Sequence, residues 1–404
     1  MIVSTVDTVA AILSGTHSGR KSHPDPGRRS RHRSGKIARG NIRQKIACKK
    51  SPKFGFASTV DAKMTGVGEF MRKLATIRKV DEIRPIEGAD AIELAVFGGW
   101  QVVVRKEQEI RPGMLVVYCE IDSVFPEQPQ YEFLRQDKFR LRTKKFRGAL
   151  SQGIVFKIDE VLPAGEYAAG DEVTEILGIT LYEPPIPASI AGDVVGAYPG
   201  SVPKTDEERV QNLDLAAFTG MSFFVTEKVD GTSSSFILDE VGLHVCGRNW
   251  EFRETPEQTF WKLVRQYDIK AKLRAYHART GSYLAVQGEV LGYGIQSNVY
   301  GLKGQDIFIF NIFDITRQRY LSATAYRALL DEFGLKGVPV VAERFSIDGF
   351  NHAQLLAYAE GKSLLNPQAE REGVVFRSVD ETPSNQGKIS FKAISNKYLL
   401  KHGG

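Results

Sequence analysis

From Arg72 to about Leu181 the apolar residues fall in short runs separated by turn-forming residues: Leu74 to Val80, Ile92 to Val96, Trp100 to Val104, Met114 to Ile121 and Gly153 to Ile158. Runs this short and this closely spaced predict the strands of a small β-barrel. From about Asp206 onward, strand-like runs such as Phe223-Phe224-Val225 alternate with helical spacing. Thr255-Pro256-Glu257-Gln258 reads as a capping box with proline in the first turn, leading into Phe260, Trp261, Leu263 and Val264. A second helix is expected from a Ser322 cap to Gly334, burying Tyr326, Leu329, Leu330 and Phe333. Between the two regions, Pro184, Pro185, Pro187, Pro199 and Pro203 mark residues 183–205 as a linker or long surface connection. The expected organisation is therefore a barrel over 72–182, a linker over 183–205 and an α+β domain over 206–404, without internal repeats.

Residues 1–63 show no sustained apolar periodicity and are rich in Arg, Lys, Ser and Gly, as in Arg28-Arg29-Ser30-Arg31-His32-Arg33. They are expected to be a disordered basic tail. Three readings compete: a basic arm for nucleic acid, a targeting peptide, or a dispensable stretch ahead of a protein that starts at Met64 or Met71. The last is preferred. Met1-Ile2-Val3-Ser4-Thr5-Val6-Asp7 lacks a basic leader, which argues against a secretory signal.

The tail also distorts the charge balance. It holds 14 Lys and Arg against 3 Asp and Glu, whereas the remaining residues carry 40 against 45. A mildly acidic body cannot hold nucleic acid by bulk charge, so any such binding needs local basic surfaces. Cys48, Cys119 and Cys246 are isolated, which excludes a four-cysteine zinc site and points to a reducing, cytoplasmic setting. The scattered histidines offer no transition-metal spacing, so any metal should be a hard cation held by carboxylates and phosphate. No stretch approaches the roughly 20 apolar residues of a membrane span.

Chemistry enters at Glu227-Lys228-Val229-Asp230-Gly231-Thr232, which follows the Phe223 run. Taken alone, Lys-x-Asp-Gly is more often an exposed hairpin turn. What changes that reading is its company: Gly247-Arg248-Asn249, Gln287-Gly288-Glu289-Val290-Leu291-Gly292, Phe310-Asn311-Ile312-Phe313-Asp314-Ile315, Glu372-Gly373-Val374-Val375-Phe376 and Ser390-Phe391-Lys392-Ala393-Ile394. In this order they resemble the nucleotidyltransferase motifs of the covalent ligase and mRNA-capping superfamily, whose domain has antiparallel sheets with flanking helices. No phosphate loop competes, since Gly361-Lys362-Ser363 has Leu356 where the upstream glycine belongs.

The resemblance implies that Lys228 is the nucleophile that becomes AMP-lysine, that Arg248 belongs to the nucleotide site, and that Glu289 contacts the sugar and a Mg2+ or Mn2+ ion. It further implies that Phe313 stacks on the purine, Glu372 holds the metal beside Lys228, and Lys392 holds the α-phosphate. Relatives often carry Lys-x-Lys in the last motif, whereas this chain has Ser390 at the first position and Lys388 two residues earlier as a substitute. Attack requires a neutral amine. At the ordinary lysine pKa of about 10.4, roughly one molecule in 2,500 is neutral at pH 7, a deficit of about 4.6 kcal/mol. The pocket is therefore expected to lower the Lys228 pKa, helped by Lys392, Arg248 and metal, with Glu227 on the opposite strand face.

Arg84 to Glu93 and Ile110 to Val116 resemble OB-like barrels that bind tRNA and single strands. Within this region Lys138, Arg140, Arg142, Lys144, Lys145 and Arg147 alternate with apolar residues. As a strand or ribbon this run would track phosphates with one basic face; the competing reading is a solvated, charged edge. An N-terminal OB-like module followed directly by the transferase domain looks like the Deinococcus-type family of nick-sealing RNA ligases. DNA ligases and capping enzymes carry a further OB domain after the last motif, but only twelve residues follow Lys392 here. The resemblance implies an ATP-dependent RNA ligase acting as a monomer on nicked duplex RNA or RNA/DNA hybrid. The alternatives are an RNA guanylyltransferase or DNA ligase of unusual architecture, or a nucleic-acid-binding protein with a silent transferase domain. Against the last, a silent site has no chemical reason to keep Lys228, Glu289, Glu372 and Lys392.

Overall fold

The structure, a computed structural model, describes residues 72–185, 191–379 and 389–402. The basic tail, Pro187 and Lys388 lie outside the described residues. The N-terminal strands appear where the apolar runs predict them. Ala75–Lys79, Leu115–Glu120 and Gly153–Lys157 form one antiparallel sheet, and Glu82–Pro85, Ile92–Phe97 and Trp100–Arg105 form another. They enclose Val80, Phe97, Trp100, Val104, Val116, Tyr118 and Val155.

The basic run does not form a single ribbon. Lys138 and Phe139 adopt φ of 55° and 58°, which breaks any strand, and Phe139 and Leu141 turn into the barrel core. Only Lys144–Phe146 is extended, in a hairpin with Ala149–Ser151. Burial of the interleaved apolar residues thus bends the segment and scatters its cations.

The C-terminal part consists of two mainly antiparallel sheets with flanking helices, each with one short parallel pairing. In spatial order, the eight-stranded sheet runs Val194–Ala197, Trp250–Phe252, Leu243–Cys246, Thr232–Leu238, Leu284–Gly292, Gln305–Asp314 and Arg319–Tyr320, with Lys336–Gly337 beside Gln305–Asp314. The proline-rich connection thus contributes an edge strand. The five-stranded sheet runs Glu208–Arg209, Ser390–Ile394, Gly373–Ser378, Ser222–Lys228 and Val340–Ser346.

Strand alternation gives each sheet one face for helices and one for the other sheet. Helices Thr259–Gln266, Ile269–Thr280 and Ala323–Phe333 cover Phe236, Val286, Val290, Ile307 and Ile309 of the larger sheet. Helix His352–Ala359 covers Phe223, Val225, Val374, Phe376 and Phe391 of the smaller. The opposite faces border a cleft.

The Ser322 helix ends as predicted, its hydroxyl accepting from Ala325 N and its chain leaving through Gly334 at φ 58°. The other predicted helix starts later than expected. Thr255 Oγ1 does accept from Gln258 N, but Pro256 and Glu257 only bend, and the Gln258 side chain caps the helix that begins at Thr259. Among the described residues no helix is long and apolar enough to cross a membrane.

The barrel docks through a half-buried polar knot. Asn212 Oδ1 accepts from Trp100 Nε1 at 3.1 Å and from Arg78 Nη2 at 3.0 Å, while its amide nitrogen donates to Glu208 Oε1 at 2.9 Å and to Glu120. The barrel turn at Gly99, φ 82°, approaches helix His352–Ala359 so closely that a Cβ there would sit 2.9 Å from His352 Cβ. Asn212→Ala leaves the indole N–H of the buried Trp100 without its acceptor, so it should lower unfolding stability by about 2 kcal/mol, measured as a shift in urea midpoint.

Candidate active site

Lys228 is the last residue of its strand, and Thr232 begins the next strand on the other sheet. Val229-Asp230-Gly231 is therefore the point at which the chain crosses the cleft. Glycine is required there: a Cβ on Gly231 would lie 2.4 Å from Val290 O and 2.9 Å from Glu289 Cγ. Asp230 is held from two sides, its N–H donating to the Tyr300 hydroxyl and its Oδ2 accepting from the Tyr398 hydroxyl, both at 2.6 Å.

The register gathers the acids and cations around Lys228. Gly373 pairs with Lys228, so Glu372 stands at the strand end, and Lys228 Nζ donates to both of its carboxylate oxygens at 2.7 Å. Glu289 faces them from the larger sheet, opposite Ser233. Lys392 pairs with Val375 on one side and Arg209 on the other. Lys228, Glu289, Glu372 and Lys392, distant in sequence, are thus brought to one place. Glu227 points away, its Oε2 accepting from Leu364 N at 2.7 Å, as strand alternation requires.

The electrostatics differ from the expectation in one respect. Burial pushes the Lys228 pKa down, but the charges of Glu372, Glu289 and Asp230 outweigh it and hold the ammonium above its ordinary value. The expectation counted the cations and left out three carboxylates. Glu289 is pushed up to about 8, first by burial and then by Glu372 and Asp230, with Lys228 opposing. Lys392 is pushed down to about 8 by burial, Arg209 and Lys228. The site in isolation therefore contains one acid, Glu289, that resists ionising and one lysine, Lys392, that resists protonation, which suits it to added cation and added anion.

Other residues land differently. Arg248 lies on the rim, 61 % exposed, paired with Asp206 at 2.7 Å. Phe313 is 3 % exposed and packs with Tyr198, Val202 and Tyr320. Phe310, half-buried beside Arg377, is the aromatic of that strand more open to the cleft. Of the basic run, Arg140 pairs with Asp122 and lies over Tyr182, and Lys144 pairs with Asp137; Lys138, Arg142, Lys145 and Arg147 are exposed.

Sequence reasoning missed Arg209. It is half-buried against Trp100, and its Nη1, closed off from solvent, makes no hydrogen bond within the protein. Its setting, Asp206-Glu207-Glu208-Arg209, reads as an exposed charged turn; only docking of the barrel covers it.

Two family models match the chain: one described as RNA ligase over residues 221–394, and one described as an OB-fold domain over residues 74–158. Among solved structures, a Naegleria gruberi RNA ligase mutant with AMP and Mn is 40% identical, with a TM-score of 0.71, over 82% of this chain and 99% of that one. A mutant of that ligase with ATP and Mn gives the same figures. The Naegleria gruberi RNA ligase with PPi gives a TM-score of 0.70 at 40% identity and the same coverage. None of the curated proteins matches the chain.

The raised Glu289 pKa predicts a pH-dependent stability. The folded value lies above the unfolded one, near 4.3, so this residue's contribution is fully present below about pH 4 and is lost as pH climbs through 8. Glu289→Gln should therefore gain stability relative to wild type between pH 5 and 9, by on the order of 2 kcal/mol, read from urea midpoints across that range.

Proposed function

Because this chain belongs to the RNA ligase family, as an ATP-dependent RNA ligase, we propose that Lys228 captures AMP covalently and that the product is a joined 3′-hydroxyl and 5′-phosphate at nicks in duplex RNA or RNA/DNA hybrid. The observation that carries this is the convergence of Lys228, Glu372, Glu289 and Lys392 at a crossing point between two sheets.

In the first step Lys228 Nζ forms a bond to the α-phosphorus of ATP as the bond to pyrophosphate breaks. The amine must first lose its proton, and Glu372, bonded to it through both oxygens, is the nearest acceptor. Lys392 meets the α-phosphate, and the charge of Arg209 beside it offsets the charge on departing pyrophosphate. Arg209 thereby supplies the second cation that Ser390 does not, with Lys388 lying outside the described residues. In the second step an oxygen of the 5′-phosphate bonds to the AMP phosphorus and the P–N bond breaks, returning the lysine. In the third, the 3′-hydroxyl oxygen bonds to the 5′-phosphorus and AMP leaves.

Among the described residues no three His, Cys, Asp or Glu side chains cluster as a metal cage. Glu289 and Glu372 alone fit a hard cation that shares its coordination with phosphate oxygens and water. Held there by Glu289 and Glu372, Mg2+ or Mn2+ would supply positive charge to offset the carboxylates around Lys228 and Lewis acidity toward the α-phosphate. Glu289, facing Lys228 across the cleft, is also placed for the ribose.

The exposed Lys138, Arg142, Lys145 and Arg147 on the barrel are proposed to hold the polynucleotide, with Arg140 and Lys144 bracing that surface through their ion pairs. The same proposal keeps 72–182 as the nucleic-acid module, 183–205 as the connection and 206–404 as the transferase domain, in a cytoplasmic monomer. A preference for RNA on the 3′-hydroxyl side agrees with the 2′-hydroxyl as the group that distinguishes RNA from DNA.

Incubation with labelled ATP or GTP and Mg2+ or Mn2+, followed by denaturation, should leave label from ATP on wild type and none on Lys228→Ala. Glu372→Gln should form adduct about 100-fold more slowly. Label from GTP instead would move the reading to capping, and adduct without sealing of a nicked duplex bearing an RNA 3′ end would overturn the proposed substrate.

A further inference from the structure

The cleft carries a second polar group, deeper than Lys228 and Glu289. Gln287 lies two residues before Glu289 and shares its strand face, and Asn311 is its direct cross-strand partner. On the opposite sheet Thr226 stands two residues before Lys228. Arg377 spans the gap, its Nε donating to Asn311 Oδ1 at 3.1 Å and its Nη1 to Thr226 Oγ1 at 2.8 Å. Two strand residues advance about 6.6 Å, comparable with the reach from a nucleotide's α-phosphate across its ribose to its base.

Gln287 and Asn311 are 0% and 5% exposed, yet Gln287 Oε1 and Asn311 Nδ2 make no hydrogen bond within the protein. Buried polar atoms are ordinarily paired, because leaving one without a partner forfeits its hydration. The amide orientations follow from their other contacts. Asn311 Oδ1 faces an arginine N–H, which can only donate. Gln287 Nε2 donates to Pro203 O at 2.8 Å and to the Tyr198 hydroxyl at 3.0 Å. Flipping Asn311 would set donor against donor, and flipping Gln287 would set oxygen against a carbonyl. On two directly paired residues, one acceptor and one donor, both shielded from solvent, are therefore left without a protein partner.

We propose that Gln287 and Asn311 read the base of the captured nucleotide, Gln287 Oε1 accepting from the 6-amino group of adenine and Asn311 Nδ2 donating to N7. The inference rests on the adenylylation of Lys228 proposed above. Adenine presents a donor and an acceptor on that edge, whereas guanine presents two acceptors, O6 and N7. With guanine, Gln287 Oε1 would meet O6 with no proton between them. Arg377, Tyr198 and Pro203 act as positioning groups that hold the amides in the discriminating orientation.

The test measures KM for adduct formation with ATP, purine riboside triphosphate, 7-deaza-ATP and GTP, on wild type, Gln287→Met and Asn311→Asp. Asn311→Asp keeps an oxygen facing Arg377 and replaces the free donor by an acceptor. On wild type, loss of the 6-amino group or of N7 should raise KM about tenfold to a hundredfold, with GTP at least as poor. Gln287→Met should make ATP and purine riboside triphosphate equivalent, and Asn311→Asp should do so for ATP and 7-deaza-ATP. Each comparison sets two nucleotides against one protein, so partial loss of folded material cancels. Wild type that treats ATP and both analogues alike, or variants that keep the wild-type ratios, would overturn this inference alone. Folded wild type that forms no adduct with any nucleotide would overturn the adenylylation reading, and this inference with it.

Discussion

The charge cluster between the two sheets is the constraint on which the rest of the molecule depends. Lys228 is held by Glu372 and faces Glu289, while Lys392 and Arg209 crowd together on the adjoining strands. Taking charges out of water is costly unless they are paired, and here the pairing is incomplete on both sides. A fold that buries such a cluster must stabilise it from elsewhere. The helices on the outer face of each sheet do so, sealing apolar cores against Phe236, Val286 and Ile309 on one side and Phe223, Phe376 and Phe391 on the other.

That arrangement explains why the strands alternate as they do. In Ser222–Lys228, Phe223 and Val225 serve the core while Thr226 and Lys228 serve the cleft, and Glu227, on the core side, is held by a backbone N–H. In Leu284–Gly292, Val286 and Val290 serve the core while Gln287 and Glu289 serve the cleft. The same period of two that builds the sheets therefore spaces the chemistry. The crossing at Val229-Asp230-Gly231 locks the two halves in register, with Tyr300 and Tyr398 gripping Asp230 from either side.

The barrel belongs to the site as well as beside it. Trp100 covers Arg209, the knot at Asn212 ties barrel strands to residue 208, and the strand Glu208–Arg209 lies next to Lys392. Docking of the N-terminal module is thus what covers the Arg209 guanidinium. A change in that interface would reach the Lys392 end of the cleft through a single short strand.

The sequence by itself determined five strands of the barrel and the helix from Ser322 to Gly334, and it singled out four residues that the fold brings together. Each of these is encoded locally, in a period of two, a cap, or a residue type whose chemistry has few substitutes. Three things were decided only by tertiary structure. The basic run around Lys138 and Arg147 was broken because burial of Phe139 and Leu141 overrode its alternation. The Lys228 pKa went up because the sheets brought together carboxylates separated by many residues, and electrostatic energy depends on distance in space. Arg209, Gln287 and Asn311 became significant only through burial and through the partners that orient them, and neither burial nor orientation is written in a residue's own neighbourhood along the chain.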